Sequence, residues 1–298
     1  MTSIIVIFSL ENLAKKEDKM RSWAILFVVV VAFSVFIVGC GKEETKPEPT
    51  PIDAPTSLLP IAYTDSIRIC WAKSPQHGAE GFKGYLLYIS MTDPATMTSA
   101  QLDSYKVWAE PSLDTTYLLT SYRGDSLDLN GIYYFAVRAV RTVDDRDTTS
   151  GLVITETSPV LMGMGTIYEI ASDTICAFNF HNGVALRADE TTPEPDFYLE
   201  DCPECGSGLA LKSPHLAGTA WTGHTYFKTM GTGTLDDYPQ TTDNDWSDHT
   251  DVTMRVYAIK TSSNNFVKLV ITGFGGESPN RFITFKYKLQ TKPFYPHF

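Results

Sequence analysis

The apolar positions of this chain fall into one long run and many short alternating segments. The run covers residues 23–38, follows Arg21 and contains no charge. It is shorter than the roughly 20 residues a spanning helix needs, and its basic start, apolar middle and small-residue end are those of a secretion signal. Beyond it the period is two. Residues 66–72 place Ile67, Ile69 and Trp71 on one face and Ser66, Arg68 and Cys70 on the other. Residues 84–90, 105–108 and 116–119 read as further strands, and residues 132–141 as the strongest, with Tyr133, Phe135, Val137 and Ala139 facing one way. Residues 153–157 close this set. A second set comes at 174–181, 197–199, 252–259, 266–272 and 282–289. The turn SSNN and the link GFGGESPN make the last three an antiparallel meander. LMGMG, residues 161–165, reads as a bridge between the sets, and residues 202–250 carry no readable period.

Composition sharpens this picture. With 15 Tyr and 16 Phe in 298 residues, the chain is rich in side chains that pack on a pleated, half-buried face. The expected fold class is all-β, two consecutive antiparallel β domains. Residues 41–57, GKEETKPEPTPIDAPTS, lack the apolar content for a core and read as a tether. The chain beyond the tether is long enough for two domains of about 100–150 residues. A net charge of -11 argues against nucleic acid as a partner.

The end of the apolar run, Ile37-Val38-Gly39-Cys40, resembles a bacterial lipobox, in which a peptidase cuts before an acylated cysteine. The resemblance implies that Cys40 is lipidated and is the first mature residue. Residues 1–39 are then a signal peptide and residues 40–57 the lipidated cysteine and tether. Met20 alone begins a compact signal, and residues 1–19 add a small apolar patch and the mixed-charge run KKEDK that such signals do not need. An uncleaved membrane anchor is the alternative, and both place the folded domains outside the cytoplasm. In a Gram-negative cell the lipoprotein resemblance implies the outer membrane, since inner-membrane retention is associated with Asp after the cysteine and Gly41 stands there.

Trp71, the strand Gly84 to Tyr88 of form G-Y-x-x-Y, and Tyr133, Phe135, Val137 and Ala139 after Leu127 and Gly131 resemble a fibronectin type III domain over residues 58–160. The resemblance implies a β-sandwich spacer or binding module in which Trp71 packs in the core and Tyr133 ties a loop to the sheet. FVKLVITGFGG followed by NRFITFKYKLQT, with YEIASDTICAFNFHNGVAL and FYLED earlier, resembles the HmuY-like surface lipoproteins over residues 165–298. That resemblance implies an antiparallel β domain and haem as the ligand, held between two histidines.

Among the histidines of this part, which include His181, His215, His224 and His249, the pair His215 and His224 are the haem-binding candidates. They sit in LKSPHLAGTAWTGHTYF, where Trp221, Tyr226 and Phe227 are placed to cover porphyrin faces; loop histidines bonded to backbone or water are the alternative. Cys202 and Cys205, in CPECG, have the spacing of a redox pair, half a zinc site or a disulfide across a tight turn. No helix follows to activate a thiolate, and disulfides persist outside the cytoplasm, so a disulfide is the expectation. Cys70 and Cys176 are expected to be free, with a bridge between them as the alternative. The acidic stretch 236–251 offers Asp236, Asp237, Asp243, Asp245, Asp248 and Asp251 as calcium oxygens or as a solvated turn, and it lacks an EF-hand pattern. No nucleophile elbow, zinc-protease or phosphate-loop motif occurs, so neither a catalytic residue nor a metal ligand set is expected. The sequence predicts a lipid-anchored surface protein with a non-enzymatic binding role. Its partners are the membrane, through the anchor, and haem or a haem protein. An adhesive or scaffolding protein that binds surface protein or glycan without a cofactor is the alternative.

Overall fold

The computed structural model describes residues 52–239 and 245–298. The apolar run, Cys40 and the tether up to Pro51 lie outside the described residues, as does Asp243. The rest is almost entirely antiparallel β, as the period of two predicts.

The first domain is built from β1 (Thr56–Ala62), β2 (Ile67–Ala72), β3 (Phe82–Ser90), the short helix α1 (Ser99–Asp103), β4 (Thr116–Leu119), β5 (Tyr133–Val143), β6 (Arg146–Thr149) and β7 (Val153–Thr157). One sheet has the order β1-β2-β4. In the other, β3 pairs β5, and the far edge of β5 is shared by β6 at one end and β7 at the other. Alternation sends Ile67, Ile69 and Trp71 inward against Leu87, Tyr133, Phe135, Val137 and Ala139. The segment YLLYIS of β3 does not alternate in burial, because Leu86 and Tyr88 on its other face are covered by Leu102 of α1. Residues 105–108, expected as a strand, make a single bridge, Lys106 to Tyr88. Trp71 packs edge-on to Tyr85 at 5.8 Å. Tyr133 Oη accepts a hydrogen bond from Asp128 N at 2.9 Å, tying the preceding loop to the sheet.

The second domain contains β8 (Leu161–Tyr168), β9 (Ile175–Asn179), β10 (Val184–Arg187), β11 (Phe197–Asp201), β12 (Leu209–Lys212), β13 (Tyr226–Gly231), β14 (His249–Asp251), β15 (Val256–Lys260), β16 (Phe266–Gly275) and β17 (Phe282–Leu289). Two five-stranded sheets, β10-β9-β11-β12-β14 and β13-β15-β16-β17-β8, enclose a core of Phe178, Phe180, Phe197, Phe227, Tyr257, Phe285 and Tyr287 with aliphatic neighbours. The meander β15-β16-β17 is as the turns predict. LMGMG is not a bridge: it opens β8, which pairs β17 from Leu161–Leu289 to Tyr168–Phe282. The stretch without readable period supplies β12, β13 and β14. The strand expected from Val252 begins at Val256, since Val252 N is held by Leu209 O.

Both domains belong to one compact unit. Ala62, Val160, Phe266 and Phe298 form a shared apolar cluster with Trp246 beside it. The outer face of β16 and β17 is covered there, and it buries Lys268 and Lys288.

Candidate functional site

His215 and His224 are brought together. Residues Pro214–Leu216 form a single 3-10 turn with proline in its first turn, and His215 N donates to Gly223 O at 3.1 Å. Ser213 clamps the same loop, with Oγ 2.8 Å from His215 Nδ1 and accepting Thr225 N at 2.8 Å. The two imidazoles therefore stack, centroids 4.0 Å apart and planes 25° from parallel. Imidazole lone pairs lie in the ring plane, so both pairs point out of the side of this stack rather than into the gap. Histidines holding one iron from opposite sides must point their nitrogens at each other through it, and the stacked pair does not fit that arrangement.

The expected aromatic cover is also redistributed. Trp221 is buried, its Nε1 donating to Glu190 O at 2.7 Å and its ring against Tyr198. Phe227 belongs to the core. Tyr226, one residue earlier on the same strand, faces the other way and is 40% exposed.

His224 and Tyr226 open onto a cleft of about 360 Å³ whose other walls are Glu194 and the β15–β16 turn, with Lys260, Ser262 and Asn264. Burial opposes ionisation of Glu194, yet the Thr222 hydroxyl and the Thr222 and Gly223 amides outweigh it and hold the carboxyl below its usual range. Lys260 is the cross-strand partner of Tyr226 in the β13–β15 register, so the two side chains lie side by side on one face of the sheet. No family description matches the chain, and no curated protein is similar to it.

The remaining sequence candidates are spread apart. Cys202 and Cys205 form a disulfide across the β11–β12 turn, whose backbone is closed by Cys205 N to Cys202 O at 2.9 Å and Cys202 N to Gly208 O at 3.0 Å. Cys70 is free, its sulfur 3.4 Å from Thr116 Oγ1. Cys176 is free and buried, and burial pushes its thiol up to about 11. His181 lies exposed after β9, and His249 on β14 contacts Asp248 at 2.8 Å.

Asp236, Asp237, Asp248 and Asp251 of the acidic stretch serve separate local roles. Asp236 takes Lys288, Asp237 takes Thr234 N and Oγ1, and Asp251 accepts Ser207 Oγ at 2.5 Å. Among the described residues no three metal-ligating side chains converge.

Sequence reasoning did not single out Glu194, Lys260 or Asn264. Glu194 sits in a proline-rich link and Lys260 at a strand end. Only the fold brings them beside His224.

Proposed function

We propose that this chain is a lipid-anchored protein of the outer membrane, attached through Cys40, whose second β domain binds a ligand without chemistry. The observation that carries this reading is the cleft beside His224, where polar side chains that the fold does not use converge around an exposed aromatic ring. The lipobox-like Ile37-Val38-Gly39-Cys40 supports the anchor. A three-stranded sheet facing a four-stranded one, with Trp71 in the core and the Tyr133 hydroxyl holding Asp128 N, supports a fibronectin type III-like spacer. The β15-β16-β17 meander supports the HmuY-like reading of the second domain.

Of the two ligand readings, adhesion to a surface protein or glycan is better supported than haem capture, because the stacked His215 and His224 present no nitrogen to a shared iron. The test has two arms on the full chain. Expressed in a bacterial host fed an alkyne fatty acid, the chain is expected to take up the label and Cys40→Ser to lose it; an unlabelled parent ends the lipoprotein reading. Titrated with haem, the purified chain is expected to give no saturable Soret shift. A near-stoichiometric shift that His215→Ala or His224→Ala weakens would put haem first.

A further inference from the structure

The side chains around the His224 cleft match one class of ligand. Glu194 is fixed through a single oxygen: Oε1 accepts Thr222 N at 2.6 Å, Thr222 Oγ1 at 3.0 Å and Gly223 N at 2.6 Å. Its Oε2 takes no hydrogen bond from any described residue, so a rigidly held acceptor is left over. Lys260 pairs with no carboxylate among the described residues, and its ammonium lies 6.0 Å from the Phe266 ring. The side chains of Tyr226, Ser262 and Asn264 likewise make no hydrogen bond with described residues. These unused donors and acceptors line one open cleft, whose size falls in the roughly 300–1,000 Å³ range of small-molecule sites.

We propose that this cleft binds a saccharide, with the Tyr226 ring as a stacking face, Glu194 Oε2 accepting from sugar hydroxyls, and Lys260 and Asn264 donating to them. The proposal rests on the reading of the second domain as a non-enzymatic binder and names its ligand class. A sugar offers apolar C–H faces and edges crowded with hydroxyls that donate and accept. Its receptor needs an exposed ring beside fixed groups of both kinds, since a polar group left unpaired on binding is costly. A carboxylate and an ammonium lining the same cleft also disfavour strongly anionic and strongly cationic ligands alike, and suit a neutral polyhydroxylated one.

A peptide strand is less suited. It adds to a free sheet edge, and both edges of β13 are engaged here. One pairs with β15; on the other, Phe227 exchanges both backbone hydrogen bonds with Ser247, at 2.6 and 3.0 Å.

The experiment applies the full chain, in detergent micelles, to an array of neutral and N-acetylated oligosaccharides with peptides arrayed beside them, and to free amino acids in solution. Positive spots are pursued by saturation-transfer NMR, with Tyr226→Ala, Lys260→Ala and the remote Tyr105→Ala run in parallel. At least one saccharide is expected to bind, and each cleft substitution to weaken it at least about tenfold. Tyr105→Ala should leave it unchanged, and all variants should melt as the parent does. An empty array overturns the proposal, as does binding that survives both cleft substitutions. A cleft-dependent signal from free amino acids or an arrayed peptide overturns it too and assigns the site to that class. Fatty-acid labelling at Cys40 reports separately on the anchor, so failure of the sugar assignment and failure of the lipoprotein reading are told apart.

Discussion

Asp196 accepts the Phe180 amide at 2.7 Å beside the aromatic core of the second domain, and burial, with Glu194 nearby, raises its carboxyl to about 7. Lys268 is buried on the opposite sheet, donating to the Leu235 and Tyr238 carbonyls with its ammonium 4.7 Å from the Phe298 ring. Burial and the neighbouring Lys288 lower it to about 7. The signs oppose. Between about pH 4 and 7 the folded chain keeps a proton on Asp196 that the unfolded chain has lost, so stability falls as pH rises. Between about 7 and 10 the unfolded chain keeps a proton on Lys268 that the folded chain has lost, so stability rises again. Denaturant midpoints at pH 5, 7 and 9 are expected to pass through a minimum near 7, each limb on the order of a few kcal/mol. Asp196→Asn should flatten the acid limb and Lys268→Met the alkaline one; a profile without the minimum, or limbs indifferent to these substitutions, would rule the account out. Neither group was legible in the sequence. Lys268 occupies an outward position in an alternating strand, as FVKLVI predicts, and the segment carrying Leu235 and Tyr238, with Phe298 near the C-terminus, closes over it.

Strand β8 shows why part of the fold was legible and part was not. Strands that mark their inner face with large side chains, such as β5 with Tyr133, Phe135, Val137 and Ala139, were readable because period two and hydrophobicity coincide. In β8 the period is intact, but between the inward Leu161 and Ile167 its inner positions, Gly163 and Gly165, are glycines. A Cβ on Gly163 would lie 2.5 Å from the Tyr287 hydroxyl, and one on Gly165 2.6 Å from the Phe285 ring. These residues pair directly across the strands, Gly163 with Tyr287 and Gly165 with Phe285, so the missing side chains are the space the aromatic rings fill. Met162 and Met164 stand outward and exposed, and LMGMG therefore resembles a linker. The stretch 202–250 was hidden for another reason. Its strands are short, and their burial depends on neighbours far away in sequence, as when β12 pairs β14 through Leu211 and Thr250. Gly165→Val preserves strand propensity while overfilling the core, so it is expected to cost about 1–3 kcal/mol. Met164→Val, one position along and facing solvent, should stay within about 0.5 kcal/mol. Equal losses for the two, measured by denaturant melts, would show that β8 is not packed in this way.

Across the whole molecule, the two domains meet through a polar centre inside an apolar seam. Lys288 on β17 reaches out of its own sheet to donate to Ala62 O at 2.8 Å and to Asp236 Oδ1 at 2.7 Å, with the Tyr63 ring 4.5 Å from its ammonium. Tyr63 donates to Asp236 Oδ2 at 3.2 Å, and Arg68 lies 3.7 Å from the same oxygen. Burial acts to raise the Asp236 carboxyl, but Lys288 and Tyr63 outweigh it and hold it below its usual range. Around this centre Val160 N donates to Tyr63 O at 3.1 Å, Thr291 Oγ1 to Leu129 O at 2.9 Å, and Phe298 fills the cluster of Ala62, Val160 and Phe266. Lys288 and Asp236 both belong to the second domain, and the first supplies Ala62 O, the Tyr63 hydroxyl and Arg68 to them, so separating the domains breaks those contacts and exposes apolar surface. The parent is therefore expected to unfold in one calorimetric transition. Asp236→Ala leaves Lys288 buried with its charge uncompensated, a loss of about 3–5 kcal/mol, and should split the transition into two, one for each domain. Replacing the ion pair by Asp236→Leu with Lys288→Met removes the stranded charge as well and should largely restore the single transition, because a buried pair is often neutral against apolar residues of similar volume. Two transitions already present in the parent would mean that the seam does not couple the domains. A single transition unmoved by Asp236→Ala would mean that coupling resides in the apolar cluster alone, and Phe298→Ala would then be the substitution that splits it.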